Sequence, residues 1–491
     1  MSKRRYKEGI DRQQANLLPS RVEEYVAEDN PVRAIEAYVE SLDLAGLGFQ
    51  NTTGKLSAGQ PAFPPQALLK LYLYGYLHHT RSSRRLEQEC QRNLEVIWLV
   101  EGLRPGYKTI ADFRKNNLEA LRGVNRDFVQ LCKELDLFGR ELVAIDGSFF
   151  RGNVGKKSIY TVGRLKKALK RIDQHIAEYL QEMEAVDTAE GQVEKRQPGD
   201  KADLADKLAK LKERQEKHQQ RQQKLQDSGE KQIAEVDEDA RLLKKNGQSV
   251  AGYNVQTVVD DKHKLLVACE VSQDGNDENQ LEPMAVKAKE TLEVERLDVA
   301  ADTGYFNAQQ IHNCQQTQIT PYVPEPDKTH QTQDRLGREL FTFDAQANCY
   351  RCPAGKTLSF STKQQRNGKT ILYYCSSVPV CAQCPLKREC LPDKNAYRTV
   401  TRWEHEDVID EHRQRMRLQG REMMRKRACL AEHPFGTLKT WCGWTHFLLR
   451  GLAKVRAEMN LLMLCYNFKR VLSILGLEVF RTYCVQRALN G

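Results

Sequence analysis

The period of the apolar positions changes along the chain, and each change marks a different kind of element. From Pro64, QALLKLYLYGYLHH is densely apolar and aromatic, and predicts a core helix opened by Pro64 and Pro65. Leu86, Cys90, Leu94 and Ile97 recur at helical spacing behind a cap at Ser82 or Ser83. Thr109 with Asp112 has the form of a cap before FRKNN. The period then switches. LVAIDGSFFRGN (142–153) reads as a buried strand that delivers Asp146 at its tip. GYNVQTVVDDK (252–262) and LLVACEVSQ (265–273) are β-rich runs joined by a polar turn around Asp261. A helix fits 279–292, and RLDVAADTGYF (296–306) is a strand carrying Asp302 and broken by Gly304. A helix at 308–316 and a strand at 319–323 follow. A long basic helical stretch ends in RACLAEHPFGTLK (427–439), where Pro434 is expected to end one helix and start the next beside Glu432.

Two stretches interrupt this order. In the first, Leu165, Leu169, Ile172, Ile176, Tyr179, Met183 and Val186 alternate spacings of four and three, and Leu204, Leu208 and Leu211 begin a second seam after a turn at QPGD. That pattern predicts an antiparallel helical hairpin over 160–234, serving dimerisation, DNA contact or spacing. In the second, six cysteines lie between Cys349 and Cys390. Cys349 with Cys352 and Cys381 with Cys384 form two Cys-x-x-Cys pairs, which favours a tetrahedral Zn²⁺ site over disulfides in a cytoplasmic protein. With the interruptions removed, the order of strands and helices is that of a ribonuclease-H-like α/β fold. The expected division is a helical domain at 1–135, a catalytic domain at 136–159, 235–325 and 400–475, the hairpin at 160–234, and a cysteine-rich insertion at 326–399.

Composition narrows the partner. The 491 residues carry a formal charge of +10 and a pI near 8.8, which suits a polyanion. Arg81, Arg84, Arg85, Arg92, Arg114 and Lys115 are expected to be exposed basic residues of the helical domain, open to phosphates. No apolar run is long enough to span a membrane, and MSKRRYKEGIDRQQ is followed by no secretory segment, so a cytoplasmic, nucleoid-associated protein is expected. Gly155, Lys156 and Ser158 hint at a phosphate-binding loop, but Phe150 stands where that motif needs its first glycine and Lys157 where it needs Ser or Thr. Nucleotide hydrolysis is not implied.

Three acids, Asp146, Asp302 and Glu432, remain as candidates for chemistry. Carboxylates brought together relieve their repulsion by holding divalent metal, and paired metals serve in-line displacement at a phosphodiester. Glu422 and Glu458 are the rivals for the third place. Glu422 lies among Arg421, Arg425 and Lys426 and reads as a surface ion pair, and Glu458 lies in an apolar helix beside Arg450 and Arg456.

In LVAIDGSFF, DEDARLLKKNGQSVAGYNVQTVVD, VAADTGYF, AEHPFGTLK and FLLRGLAKVRAEMNLLMLCYNFKR the chain resembles the DDE transposases of bacterial insertion sequences. SSRRLEQECQRN and TIADFRKNN resemble the InsH-type N-terminal domain of the same enzymes. The resemblance implies that Asp146, Asp302 and Glu432 bind Mg²⁺ or Mn²⁺. It also implies that Lys439, seven residues after the glutamate, contacts phosphate. Relatives with the Tyr, Arg, Glu, Lys signature carry the arginine four residues before the glutamate. Here that place holds Ala428, with Arg427 one residue earlier, and Arg425 stands in place of the tyrosine. Through CPAGK and CAQCPLKREC the resemblance favours Cys352, Cys381, Cys384 and Cys390 as zinc ligands, whereas paired spacing alone selects Cys349 over Cys390. The implied activity is cleavage at element ends and strand transfer into target DNA by a dimer or larger assembly on DNA. The alternatives are a structure-specific nuclease on the same fold and a domesticated DNA-binding protein without catalysis.

Overall fold

The computed structural model describes residues 21–52, 61–190, 199–245, 247–326, 336–366, 368–392 and 394–490. The basic start of the chain, the Gln197–Pro198 half of the QPGD turn, and the seam side chains of Met183, Val186 and Leu204 lie outside the described residues. The chain divides into two compact units, residues 1–134 with 453–491 and residues 135–452.

The first unit is helical. Its N-terminal helices are α1 (Val32–Glu40), α2 (Pro65–Leu77), α3 (Ser83–Arg92), α4 (Leu94–Leu99), α5 (Tyr107–Asn116) and α6 (Leu118–Glu134). α2 starts at Pro65, as its paired prolines predict. Ser82 precedes α3 without a side-chain cap bond, and α5 starts at Tyr107 behind Gly106, so Thr109 lies inside the helix and not at its cap. The core is aromatic: Tyr38 meets Phe128 edge-on at 5.1 Å, and Phe128 packs on Phe468 at 5.6 Å. Two of the expected phosphate-facing cations are buried here. Arg81 pairs with the fully buried Glu458 at 3.4 Å, and Arg114 donates to the Tyr76 hydroxyl at 3.0 Å and lies over the Tyr72 ring. A buried guanidinium is retained where a carboxylate or aromatic face replaces its water. Arg84, Arg85, Arg92 and Lys115 are exposed as expected.

The second unit opens with β1 (Leu142–Arg151) and β2 (Ile159–Thr161), then two long helices, α7 (Val162–Glu190) and α8 (Gly199–Ser228). These pack along each other, with Gln215 donating to Asp173 at 2.6 Å and with Leu165 and Ile172 buried on the seam face. β3 (Gln232–Ala234) returns antiparallel to β2 and closes the base of the pair. β4 (Arg241–Lys245), β5 (Gln248–Asp260), β6 (Leu266–Ser272), α9 (Leu281–Leu292), β7 (Leu297–Ala300), α10 (Ala308–Gln316) and β8 (Ile319–Tyr322) follow. The six-stranded sheet runs β4–β5–β1–β7–β8, with β6 also on β5. β5 is antiparallel to its neighbours, and β1, β7 and β8 are parallel.

β9 (Thr342–Asp344), β10 (Cys349–Arg351), β11 (Thr357–Arg366), β12 (Lys369–Cys375) and β13 (Thr399–Trp403) make a second, antiparallel sheet, with short helices α11 (Val378–Ala382) and α12 (Lys387–Cys390) before its last strand. α13 (Glu406–Gly436) then lies across β1, β5, β7 and β8. Its Met416, Met423 and Met424 pack on Leu142, Ala300 and Tyr322. α14 (Leu452–Leu475) and α15 (Leu477–Asn490) group with the helical unit from Ala453 onward, so 453–475 is not part of the α/β unit as its sequence position suggests. Among the described residues no helix is long and apolar enough to cross a membrane.

Candidate active site

Strand register alone brings two of the expected acids level. β1 pairs in parallel with β7, Leu142 opposite Asp298 and Ala144 opposite Ala300. Two residues further, the same register sets Asp146 beside Asp302. β7 has ended by then, and Asp302 caps the turn at Thr303–Tyr305 by accepting from the Gly304 N–H at 2.9 Å. Asp146 is in the body of β1, opposite Thr257, not at its tip. The strand continues to Arg151 because the 13-residue β5 keeps pairing with it.

A cation from α13 reaches both acids. Arg427 Nη2 donates to Asp146 Oδ1 at 2.7 Å and lies 3.7 Å from Asp302 Oδ2. Neighbouring carboxylates repel, and a guanidinium between them compensates. One residue on a helix is a rotation of about 100°. Met416, Met423 and Met424 fix the helix so that the position of Arg427 faces the acids. Its buried Nε has no hydrogen-bond partner among the described residues.

Glu432 is exposed on the same helix. Among the described residues no group of three or more His, Cys, Asp or Glu side chains is spaced to hold a metal ion, so neither Glu432 with the two aspartates nor the expected zinc cysteines Cys352, Cys381, Cys384 and Cys390 are gathered as a ligand set. Pro434 does not break α13, which continues to Gly436 and into a π-helical turn at Thr437–Trp441. Leu430, Ala431, Pro434 and Phe435 are buried together, and this packing holds the helix through the missing N–H. Beyond it, Lys439 Nζ donates to Ser148 Oγ at 2.6 Å and to the Phe149 carbonyl at 2.8 Å, and sits 4.5 Å over the Phe150 ring. Ser148 shares the strand face of Asp146, so Lys439 stands one step along from the acids. Of the rivals, Glu422 makes an exposed pair with Lys426 at 3.3 Å, and Glu458 is sealed with Arg81 in the helical unit.

A polar network beneath the acids is absent from the sequence expectations. Asp277 Oδ1 accepts from Asn254 Nδ2 at 2.8 Å and Gln256 Nε2 at 2.7 Å, and the Tyr305 hydroxyl donates to Gln256 Oε1. Burial, then the charges of Asp277, Asp146 and Asp302, push the Tyr305 phenol well above its ordinary pKa, so it remains a donor. Gly147 is seated directly on this network. A β-carbon there would lie 2.5 Å from Gln256 Nε2, 2.7 Å from Asp277 Oδ1 and 2.9 Å from the Tyr305 hydroxyl. The available signal was Asn254 and Gln256, two amides on one face of an otherwise apolar strand; Asp277, in SQDGNDENQ, looks like any turn former.

In the second sheet Cys352 and Cys390 pack against a core of Phe341, Tyr350, Leu358, Tyr374 and Val400. Burial raises the Cys390 thiol above its usual pKa, Arg398 opposes the shift, and Cys381, Cys352 and Cys384 add smaller upward contributions. Cys349 is held in β10 opposite Ser359, and Cys375 lies 3.5 Å from Thr399 Oγ1.

Two segments match known family models. Residues 220–468 match a transposase DDE domain, and residues 20–116 match a transposase domain designated DUF772. Asp302, Arg427, Glu432 and Lys439 fall inside the first match, and Asp146 precedes it. No curated protein matches the chain. Among solved structures it is similar to a piggyBac transposase synaptic complex with hairpin DNA, determined by cryo-EM, at 9% identity and a TM-score of 0.31, over 94% of this chain and 80% of that one. With half of its length under the first model and its N-terminal helices under the second, the chain belongs to the DDE transposases of insertion-sequence type and is a DNA transposase.

Proposed function

We propose that this transposase cuts DNA at the ends of its element and joins them to target DNA, using Asp146, Asp302 and Glu432 as its acidic triad. The observation that carries the reading is the convergence of Asp146 and Asp302 from adjacent parallel strands onto one arginine. A sheet in which antiparallel β6, β5 and β1 continue into parallel β7 and β8, with α13 across it, supports a ribonuclease-H-like fold for the unit.

DDE family membership implies dependence on a divalent metal. The donor set fits one: two carboxylates, hard oxygen ligands, lie close enough to share a positive partner and are both partly open to solvent. Asp146 and Asp302 would hold Mg²⁺ or Mn²⁺, and Glu432, on the helix that bears Arg427, is the proposed third ligand. When bound, the metal supplies an activated water or 3′ hydroxyl and charge stabilisation at phosphorus. The remaining work falls to the chain. Arg427 compensates the acids and holds them at one guanidinium. Lys439 fixes β1 at Ser148 and places a positive charge beside the acids, where a phosphate next to the scissile bond would pass. Asp277, Gln256 and Tyr305 hold the backbone at Gly147.

The reading extends to a structural zinc in the cysteine-rich insertion, for which the resemblance of CPAGK and CAQCPLKREC favours Cys352, Cys381, Cys384 and Cys390 and would require them to draw together on the metal. Metal analysis decides it: Cys390→Ser should lower zinc content from about one per chain, and Cys349→Ser should not. For the activity, purified protein is incubated with its terminal DNA and a target, with and without Mg²⁺. Joined product is expected only with metal. Nicking without joining would instead identify a nuclease, and binding without cleavage a domesticated DNA-binding protein.

A further inference from the structure

A cleft of about 800 Å³ opens at the far end of β1. One wall is the turn at 151–156 and the other is the segment 446–450. Backbone bonds lace the walls together. The Arg151 N–H donates to the Thr445 carbonyl at 3.1 Å, and the Phe447 N–H to the Arg151 carbonyl at 2.8 Å. Asn153 Nδ2 donates to the Leu448 carbonyl at 3.0 Å. The cleft is therefore part of the fold.

Its lining includes Arg151, Lys156, Arg450 and His446, and neither Asp nor Glu. Arg151 donates to Thr445 Oγ1 at 3.1 Å and Arg450 to Asn153 Oδ1 at 3.4 Å, both neutral acceptors. Among the described residues none of Arg151, Lys156 and Arg450 pairs with a carboxylate. Uncompensated cations around a concavity concentrate field and draw a polyanion. Arg151 is five residues along β1 from Asp146, roughly 16 Å at strand rise and on the opposite face, so a DNA strand leaving the acids reaches it around the end of β1. A volume in the range of small-ligand pockets admits a few nucleotides of one strand but not a duplex. Trp441, 82% exposed, stands on the run between Lys439 and the second wall and offers a face on which an unpaired base stacks.

We propose that this cleft holds the sugar-phosphate backbone of an unpaired DNA strand running from the catalytic acids, with Trp441 as its stacking platform. The proposal rests on the DNA-cutting reading of Asp146 and Asp302. It adds a preference for unpaired over duplex DNA.

The test is fluorescence anisotropy of the full-length protein with labelled terminal duplex, either blunt or carrying an unpaired tail of about six nucleotides on the 3′ or the 5′ strand, across a KCl series. Wild type should prefer one tailed form to the blunt duplex. In the variant Arg151→Gln with Lys156→Gln and Arg450→Gln, affinity for that tail should fall about tenfold and its salt slope by about 2, while blunt binding stays within about twofold. Trp441→Ala should weaken the same tail about fivefold or more. An iodouracil in the tail should crosslink to residues 441–450. If the triple variant has a lowered melting midpoint, Lys156→Gln alone should still reduce the slope by about 0.7. Equal losses on blunt and tailed DNA, an unchanged slope, or no tail preference in wild type would each overturn the proposal. Wild type that binds the tail but never cuts leaves the cleft standing and removes the catalytic reading instead.

Discussion

Arg81 with Glu458 and Arg427 with Asp146 are both arginine–carboxylate contacts, the first buried and the second half-buried, and they differ in what surrounds them. Glu458 is 0% exposed and Arg81 8%, in a helical unit where Arg114, Tyr76 and Tyr72 form a neighbouring polar and aromatic group. Arg427 is 15% exposed and faces two carboxylates, of which Asp302 is 35% exposed. A sealed ion pair has no cheap substitute for either partner, and here Glu458 also acts on the buried Arg114. An accessible guanidinium shared by two carboxylates leaves those carboxylates within reach of a further cation. The first contact is closed to solvent, and the second is open to it.

The largest expected effect breaks the accessible site. Asp146→Ala and Asp302→Ala should each lower metal-dependent cleavage about a thousandfold or more, with terminal DNA binding retained because affinity comes from basic contacts to phosphate. Glu432→Ala should behave the same way. If Glu432→Ala cleaves normally and a folded Glu458→Ala does not, the third acid is misassigned. Next comes the sealed pair: Glu458→Ala should destabilise the helical unit by about 3–5 kcal/mol, seen in denaturant unfolding, by removing a buried carboxylate that acts on both Arg81 and Arg114. Glu458→Leu combined with Arg81→Met should recover most of that loss. A single Glu458→Ala without measurable loss would end the contrast between the two sites.

A smaller effect sharpens the view of the network under the acids. Gly147→Ala forces a methyl into Gln256, Asp277 and Tyr305 and should cost about 1–3 kcal/mol, with cleavage falling more than stability alone explains. The smallest effect is expected at the hairpin. Replacing 162–228 by a Gly/Ser linker should change the unfolding free energy of the remaining chain by only about 0.5 kcal/mol, since α7 and α8 pack chiefly on each other. Insolubility of that variant would show that the pair braces the sheet.

What could be read from the sequence follows how local each cause is. Asp146 and Asp302 were legible because apolar runs announce buried strands, and α10 and β8 appeared where their patterns placed them. The extent of β1 was not, since it depends on a partner strand more than a hundred residues away. Arg81 and Arg114 looked like surface charges because nothing nearby in the chain reveals Glu458 or the Tyr72 and Tyr76 faces. Pro434 looked like a helix end because a proline's local cost is visible and the burial of Leu430 and Phe435 that offsets it is not. Lys439 was singled out by its distance from Glu432, and in the fold it donates to Ser148 and to the Phe149 carbonyl.

The shared register of β1 and β7 also says how this chain tolerates insertions and deletions. Asp146 and Asp302 each lie four residues past a paired position, Leu142 and Asp298. Removing one residue from 143–145 turns Asp146 to the opposite face of the sheet, and removing one from 299–301 pulls Asp302 out of level with it. Between β2 and β3, by contrast, each doubling of a flexible connection costs only about 0.6 kcal/mol in closure entropy. The separation of the two aspartates along the gene is therefore free to drift widely during descent, while the four-residue intervals are not, and those intervals are the places at which to align distant members of the family.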